Sequence, residues 1–402
     1  MAIIHPFRAI RPIPEKAKEI ACVPYDVINS AEAFDLAKGK PLSFLHIIRP
    51  EIDLPLGTDE HADEVYSKGA DNLRDYIVGP HSLKESVPSL YIYRLVMDGR
   101  SQTGVFGCVS VKDYNDDVIL KHELTRPSKE DDRTRHITEQ SAHAEPIMLT
   151  FKDDATVSSI IAETMVSEAL YDLTSEDGVQ HTIWKVSGPN GLVEAFKGVS
   201  NFYVADGHHR CKAASRTAEA SGKPVTSEDE VNFFPAVLFP MGDMKILSYN
   251  RVIRKLPMGA TAFLQDLRSR FEVRTVSDPV PSKKGDVCLF LEGSWHSITL
   301  PGATTNSVVD SLDVGRLTDF LLKPMLNITD PRRDQNIDFV GGIRGTNELE
   351  KLVNTGACQL AISMYPTSIE ELVQVSDAGL LMPPKSTWFE PKLRSGFLVH
   401  TF

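Results

Sequence analysis

The sequence predicts a mixed α/β protein of the α+β kind, and three features predict it. Short β-prone runs alternate with helical stretches along the whole chain, with no internal repeat and no low-complexity tract. Hairpins are spelled out in turn chemistry, above all SLYIYRLVM and TGVFGCVSV around the Asp98-Gly99 turn. Finally, FYVADGHHRCKAAS (202–215) passes from an apolar strand through Asp206-Gly207 into an Ala-rich helix free of Gly and Pro.

Composition narrows the class. With 402 residues the chain has room for two or three domains, and 42% hydrophobic and 24% charged residues are ordinary for a globular protein. A net charge of −12 opposes a nucleic-acid or anionic-membrane surface, since such binding rests on Lys and Arg meeting phosphates. The start, MAIIHPFRAIRPIP, lacks the apolar core of a signal peptide. No run approaches the roughly 18 apolar residues of a membrane span. Five scattered cysteines without CxxC spacing read as reduced thiols, and the expected location is the cytoplasm.

Taken in order, residues 1–115 form an α/β segment with a hairpin, 116–255 a core, and 256–402 a C-terminal α/β domain. In the first, Ser30 is a plausible N-cap for AEAFDLAKG, LSFLHIIRPE (42–51) reads as a strand, and 61–77 as a helix. Tyr25, Asp26 and Arg49 read as turn and rim chemistry. In the core, DVILKHE (117–123) ends a third strand on ionisable residues. PSKEDDRTRHITEQSAHA then reads as a solvated surface helix, with Arg133, His136 and Glu139 at helical spacing. PIMLTF is a strand, a helix follows near 157–173, and HTIWKV is a further strand. FFPAVLFP and KILSYNRVI around Met-Gly-Asp read as a second hairpin. The last domain reads as a helix (260–271), a hairpin (VCLFLEGSWHSITL), a helix near 312–322 and a strand at 337–340. A helix capped by Thr346, the strand CQLAISMYP and a helix from Ser368 complete it.

Three polar clusters carry the chemistry. At a strand end, Lys121, His122 and Glu123 place a carboxylate where a general base is useful. At 206–210, Asp206, Gly207, His208, His209 and Arg210 stand where helix N–H groups and the helix dipole suit a phosphate. In MPPKSTWFEPKLRSG (382–396), Lys385, Ser386 and Thr387 sit in a structured loop. That loop either closes over an anionic ligand or packs as an arm on its own domain. No Walker loop, GxGxxG, HExxH or GxSxG occurs, so those chemistries lack support.

PYDVI, KHE with its T, EDDR with the following H, DGHHR, and MPPKSTWFEPKLRSG together resemble a large, mostly uncharacterised bacterial family, number ten-fifteen among the domains of unknown function. The resemblance covers essentially the whole chain. The sequence is also similar to the free serine kinases, whose catalytic domain has a ParB/sulfiredoxin-like fold. They share a His-Glu segment, DGHHR or DGHTR, and a Pro-Lys-Thr/Ser-Thr loop, matched here by His122-Glu123, Asp206 to Arg210 and Pro384 to Thr387.

This likeness implies a ParB/sulfiredoxin-like core and phosphoryl transfer from ATP or ADP, with Mg²⁺, to the hydroxyl of serine or a similar small compound. Glu123 would be the base. Asp206 would orient it or hold Mg²⁺, and is counted with His208 among the catalytic residues. Gly207, His208, His209 and Arg210 would cradle phosphate, and His122, Lys385, Ser386 and Thr387 would meet the substrate. A homodimer is compatible with the reading. A nucleotide- or amino-acid-binding regulator of ParB-like fold is the rival. Sulfiredoxins need Cys after the turn glycine, where His208 stands here. The additional N-terminal segment and Tyr249-Asn250, where those kinases carry an aromatic residue, set serine itself in question.

Overall fold

The computed structural model describes residues 2–402, which fold as two compact α+β units. The first comprises residues 2–121, Thr125–Met244 and Pro391–Phe402; the second comprises His122–Leu124 and Lys245–Glu390.

A nine-stranded sheet forms the first unit. Its strands run in the order Ile119–Leu120, Phe202–Asp206, Ile147–Phe151, Phe233–Pro240, Arg100–Ser110, Tyr91–Met97, Gln180–Lys185, Tyr171–Thr174, and Ile4–His5 pairs beside Arg100–Ser110. Phe202–Asp206 is parallel to Ile119–Leu120, Phe233–Pro240 is parallel to Ile147–Phe151, and the other pairings are antiparallel. The Asp98-Gly99 hairpin forms as expected, with both turn residues at positive φ (52° and 75°), the geometry that matches strand twist. Helix His208–Ala220 lays Cys211, Ala214 and Ala218 into an apolar cluster with Val204, Phe202, Phe196 and Phe234. Small residues on that helix face allow the close approach that buries the sheet. A second cluster joins Ile20, Tyr25, Phe44, Leu45, Ile48 and Leu73 with Val399 from the end of the chain.

The second unit is a six-stranded antiparallel sheet in the order Arg274–Val276, Ser294–Thr299, Asp286–Leu291, Leu360–Met364, Tyr249–Ile253, Ile337–Gly341. Its helix Ile369–Asp377 starts at Ser368 in a capping box with Glu371.

Several local expectations give way to packing. The run at 42–51 is a short helix, Leu45–Ile48, followed by a 3₁₀ turn; it is apolar without alternation, so nothing in it favours a two-faced strand. Asn29, not Ser30, caps helix Ser30–Ala37, in a box with Glu32. The helix expected at 157–173 stops at Thr164, and Tyr171–Thr174 is a strand. The Met-Gly-Asp turn makes no hairpin. Phe233–Pro240 finds two partners in the first sheet, while Tyr249–Ile253 pairs with Ile337–Gly341 and Leu360–Met364. Helix Pro127–Gln140 is not a solvated surface element, for Asp132, Arg133, His136 and Ile137 are buried.

Candidate functional site

Within the first unit the strand–turn–helix junction is built as its residues dictate. The ladder with Ile147–Phe151 slips by a residue between Val204 and Asp206, a bulge at the strand's end. Gly207 then takes φ 104°, which an L side chain rarely adopts, and caps helix His208–Ala220. A Cβ at Gly207 would come within 3.1 Å of Arg210 Nε, so the guanidinium lies directly against the turn. Cys211 N–H donates to the Gly207 carbonyl at 2.9 Å and closes the first helical turn, so the N–H groups at 208–210 have no acceptor inside the helix.

Arg210 is buried and ringed by acceptors. It donates to the Pro146 carbonyl, and its Nη2 lies 3.4 Å from Asp206 Oδ2 and 3.7 Å from Asp26 Oδ2. Burial pulls its pKa down, but Asp26, Asp206 and Glu145 outweigh burial and hold it above the ordinary value. Lys392 Nζ adds a second cation 3.6 Å from Asp206. His209 Nε2 accepts from the Arg126 N–H at 3.0 Å, which ties the turn to the start of helix Pro127–Gln140 and makes that nitrogen the unprotonated one. His208 is buried in the same first turn. Burial pushes the Cys211 thiol up to about 12, so it is an inert core group.

Sequence reasoning missed what lies behind this turn. Asp26 is exposed in the Tyr25–Val27 turn, but Tyr25 is no rim residue: it is buried, and the Arg133 guanidinium lies over its ring at 3.9 Å. Arg133 also pairs with Asp132 at 2.8 Å, which accepts from Tyr66 Oη at 3.0 Å. Glu145 accepts from Tyr25 N–H at 3.1 Å and Ser395 Oγ at 3.3 Å, and burial raises its carboxyl pKa against the pull of Arg210 and Arg133. Arg49 serves elsewhere, paired with Glu51 at 2.9 Å. The available signal was the PYDVI and EDDR wording itself, whose ionisable residues are too dense for a loop and a free helix.

Within the second unit His122 and the C-terminal loop come together. His122 Nε2 is 3.2 Å from Thr387 Oγ1, and the His122 carbonyl accepts from Met382 N–H at 2.8 Å. Glu123 follows in the same short segment. Lys385 adopts a left-handed φ of 57°, its Nζ stands 5.4 Å from the centroid of the Tyr249 ring, and its carbonyl accepts from Arg251 Nη2 at 3.0 Å. Ser386 is buried; its hydroxyl donates to the Pro383 carbonyl at 2.7 Å and its own carbonyl accepts from Thr367 Oγ1 at 2.8 Å. Strand Trp388–Phe389 pairs with Ile246–Leu247 and sets the Trp388 ring edge-on to Tyr249, 5.1 Å between centroids. Trp388 packs so closely on Gly341 that a Cβ there would sit 2.8 Å from its ring. Arg251, which holds this loop from below, was not singled out by the sequence; only its place in a strand otherwise made of Tyr, Asn, Val and Ile marks it. Of the 382–396 motif, residues 382–390 thus belong to the second unit and 391–396 to the first.

The fold and the two charged clusters define an α+β protein with a glycine-started helix braced by a buried arginine in one unit and a lysine-bearing loop in the other. The match to the family described as "Protein of unknown function (DUF1015)" spans residues 4–315, and the chain belongs to that family. No curated protein matches the sequence. Among solved structures it is similar to a free serine kinase in complex with AMP, at 12% identity and TM-score 0.38 over 73% of this chain and 91% of that one. A conserved hypothetical protein from Pyrococcus furiosus has 12% identity and TM-score 0.37 over 73% and 95% of the two chains. SbnI from Staphylococcus aureus, with a C-terminal truncation, has 13% identity and TM-score 0.37 over 73% and 87%. Among the described residues no helix is long and apolar enough to cross a membrane.

Proposed function

We propose that this chain is a small-molecule phosphotransferase that moves a phosphoryl group from ATP or ADP to the hydroxyl of serine or a similar hydroxy compound. One observation carries the proposal: left-handed Gly207 starts a 13-residue helix with the buried Arg210 guanidinium packed against the turn. Helix N–H groups on a rigidly braced turn suit phosphate oxygens, because phosphoryl transfer is catalysed mainly by positioning and charge stabilisation.

In this reading the residues at 207–210 cradle the phosphates, with Arg210 bracing the turn from beneath. The acceptor hydroxyl attacks the terminal phosphorus, the bond to the bridging oxygen breaks, and ADP or AMP leaves. Glu123 takes the hydroxyl proton. His122, Lys385, Ser386 and Thr387 meet substrate or phosphate, with Lys385 supplying the charge. His208, in the first helical turn, orients the phosphates. The donor chemistry for Mg²⁺ fits: Asp206 and Asp26 present half-exposed carboxylates to one guanidinium nitrogen, and hard oxygen donors are what this ion takes beside phosphates. When bound, Mg²⁺ would neutralise phosphate charge there.

The test is purified protein with Mg²⁺, ATP or ADP, and a panel of hydroxy amino acids, with product read by phosphorus NMR. Phosphorylated product is expected from at least one acceptor. Glu123→Gln should lower turnover by about 100-fold or more and leave nucleotide affinity in place, as befits a general base. Activity of Glu123→Gln near that of the wild type would remove the assigned base. Tight nucleotide binding without transfer to any acceptor would select the regulatory reading instead.

A further inference from the structure

One part of the C-terminal motif is unused by phosphoryl transfer: Arg394, in the stretch that folds into the first unit. It lines a cavity of about 560 Å³, within the roughly 300–1,000 Å³ typical of small-molecule sites. Val23, Leu36, Leu42, Leu45 and Leu173 give the wall its apolar surface. Cys22 is part of the same wall, its thiol kept protonated by burial and then by the Glu145 carboxylate.

Arg394 is the buried cation of that wall, its side chain only 7% exposed, while Lys18, Glu19, Lys40, Glu176 and Asp177 line the cavity as exposed residues. Its Nε donates to His181 Nε2 at 3.3 Å, and its Nη2 to Ser175 Oγ at 3.4 Å and to the Asp177 carboxylate. Burial, then the Arg394 charge, holds His181 near pKa 3, so the ring is neutral, and its Nδ1 bonds Tyr93 Oη at 2.8 Å. Asp177 is therefore the anion that balances Arg394.

The two partners are unequally held. The chain beside Arg394 is pinned by the Cys22–Ser395 backbone pair, at 3.1 and 3.0 Å, so the guanidinium is held in the wall. Asp177 sits in the 175–178 turn with 52% of its side chain exposed. Turning that carboxylate into solvent costs little, whereas an arginine left buried without an anion is strongly disfavoured. The pair is thus built for exchange: the cation stays and the anion can be replaced. At the cavity mouth Lys40 pairs with Glu176 at 2.7 Å and Glu19 with Lys16 at 2.7 Å, and Lys18 is exposed, so the buried charge of the cavity is Arg394.

We propose that this cavity binds a small apolar carboxylic acid. Its carboxylate replaces Asp177 on Arg394 as a charge-assisted pair, and its hydrocarbon body lies on Val23, Leu36, Leu42, Leu45 and Leu173. The site is independent of the phosphotransfer reading and stands whether or not that reading does.

The test uses the full chain and three probes with one tail: octanoate, octanol and octylamine. Calorimetry is expected to show octanoate binding at least about tenfold more tightly than octanol, as hydrogen bonds to a charged group do, and octylamine weakest. Asp177→Asn removes the competing anion and should tighten octanoate by about tenfold or more while leaving octanol unchanged. Leu42→Trp takes up part of the cavity and should weaken octanoate binding. Equal affinity for the three probes overturns the proposal. So does octanoate affinity unmoved by Asp177→Asn, or no octanoate binding at millimolar concentration to a wild type that unfolds cooperatively.

Discussion

Two buried arginines, one in each unit, show opposite solutions to the same problem. Arg210 is taken out of water among Asp26, Asp206 and Glu145, and the carboxylates more than offset burial, so its pKa rises. Arg251 is equally buried, but it donates only to carbonyls, those of Tyr249 and Lys385, beside the Phe339 ring. Among the described residues no carboxylate pairs with it, and burial pulls its pKa down to about 10. The first charge is compensated by the protein's own anions and braces a turn. The second is left uncompensated beneath the loop that carries Lys385, which supports an anion as that loop's partner.

The contrast can be broken most forcefully at Arg210. Arg210→Met strands Asp26, Asp206 and Glu145 without their shared cation and should cost about 3–5 kcal/mol in urea unfolding, as removal of one member of a buried ion network does. A cost below that of Arg251→Met would mean the carboxylates are not held by it. Gly207→Ala comes next. It forces an L residue to φ 104° against the guanidinium, at about 1–3 kcal/mol, and should weaken nucleotide affinity along with stability. Arg251→Met removes an uncompensated cation but leaves two carbonyls unpartnered, for about 1–2 kcal/mol. Its larger effect should be on nucleotide or substrate affinity; unchanged affinity would detach the loop from anion binding.

The smallest effect separates burial from pairing. His136, His143, His181 and His400 are all held below the ordinary imidazole value, with burial the leading cause. The unfolded chain therefore takes up these protons first. Stability should be full above the ordinary value of 6.5 and fall as the pH drops towards 3, where His181 protonates. Urea midpoints measured across that range check the slope, and resonances of His136, His143, His181 and His400 that titrate near 6.5 in the folded protein would contradict it.

The local chemistry of the chain was readable in advance. Asp98-Gly99 between β-prone runs, Gly207 before a clean helix and Ser368 with Glu371 each specify their own geometry within a few residues. What misled was partner choice. Phe233–Pro240 and Tyr249–Ile253 are both good strands, and nothing in the short turn between them says that each pairs elsewhere. Helix Pro127–Gln140 is polar enough to look solvated, yet Arg133 and His136 lie inside because Tyr25, Asp132 and Glu145 receive them.

The sequence by itself determined the α+β class, the family, the strand–turn–helix at Gly207 and the residue types of both charged clusters. These are properties of short stretches, where backbone preference and side-chain chemistry act over a few residues. Only the tertiary structure decided that Asp26 and Asp206 share Arg210, that Arg251 donates to the carbonyls of Tyr249 and Lys385, and that Arg394 joins an apolar cavity. Those facts depend on which distant segments exclude water together, and burial is what turns an ordinary arginine into a fixed charge.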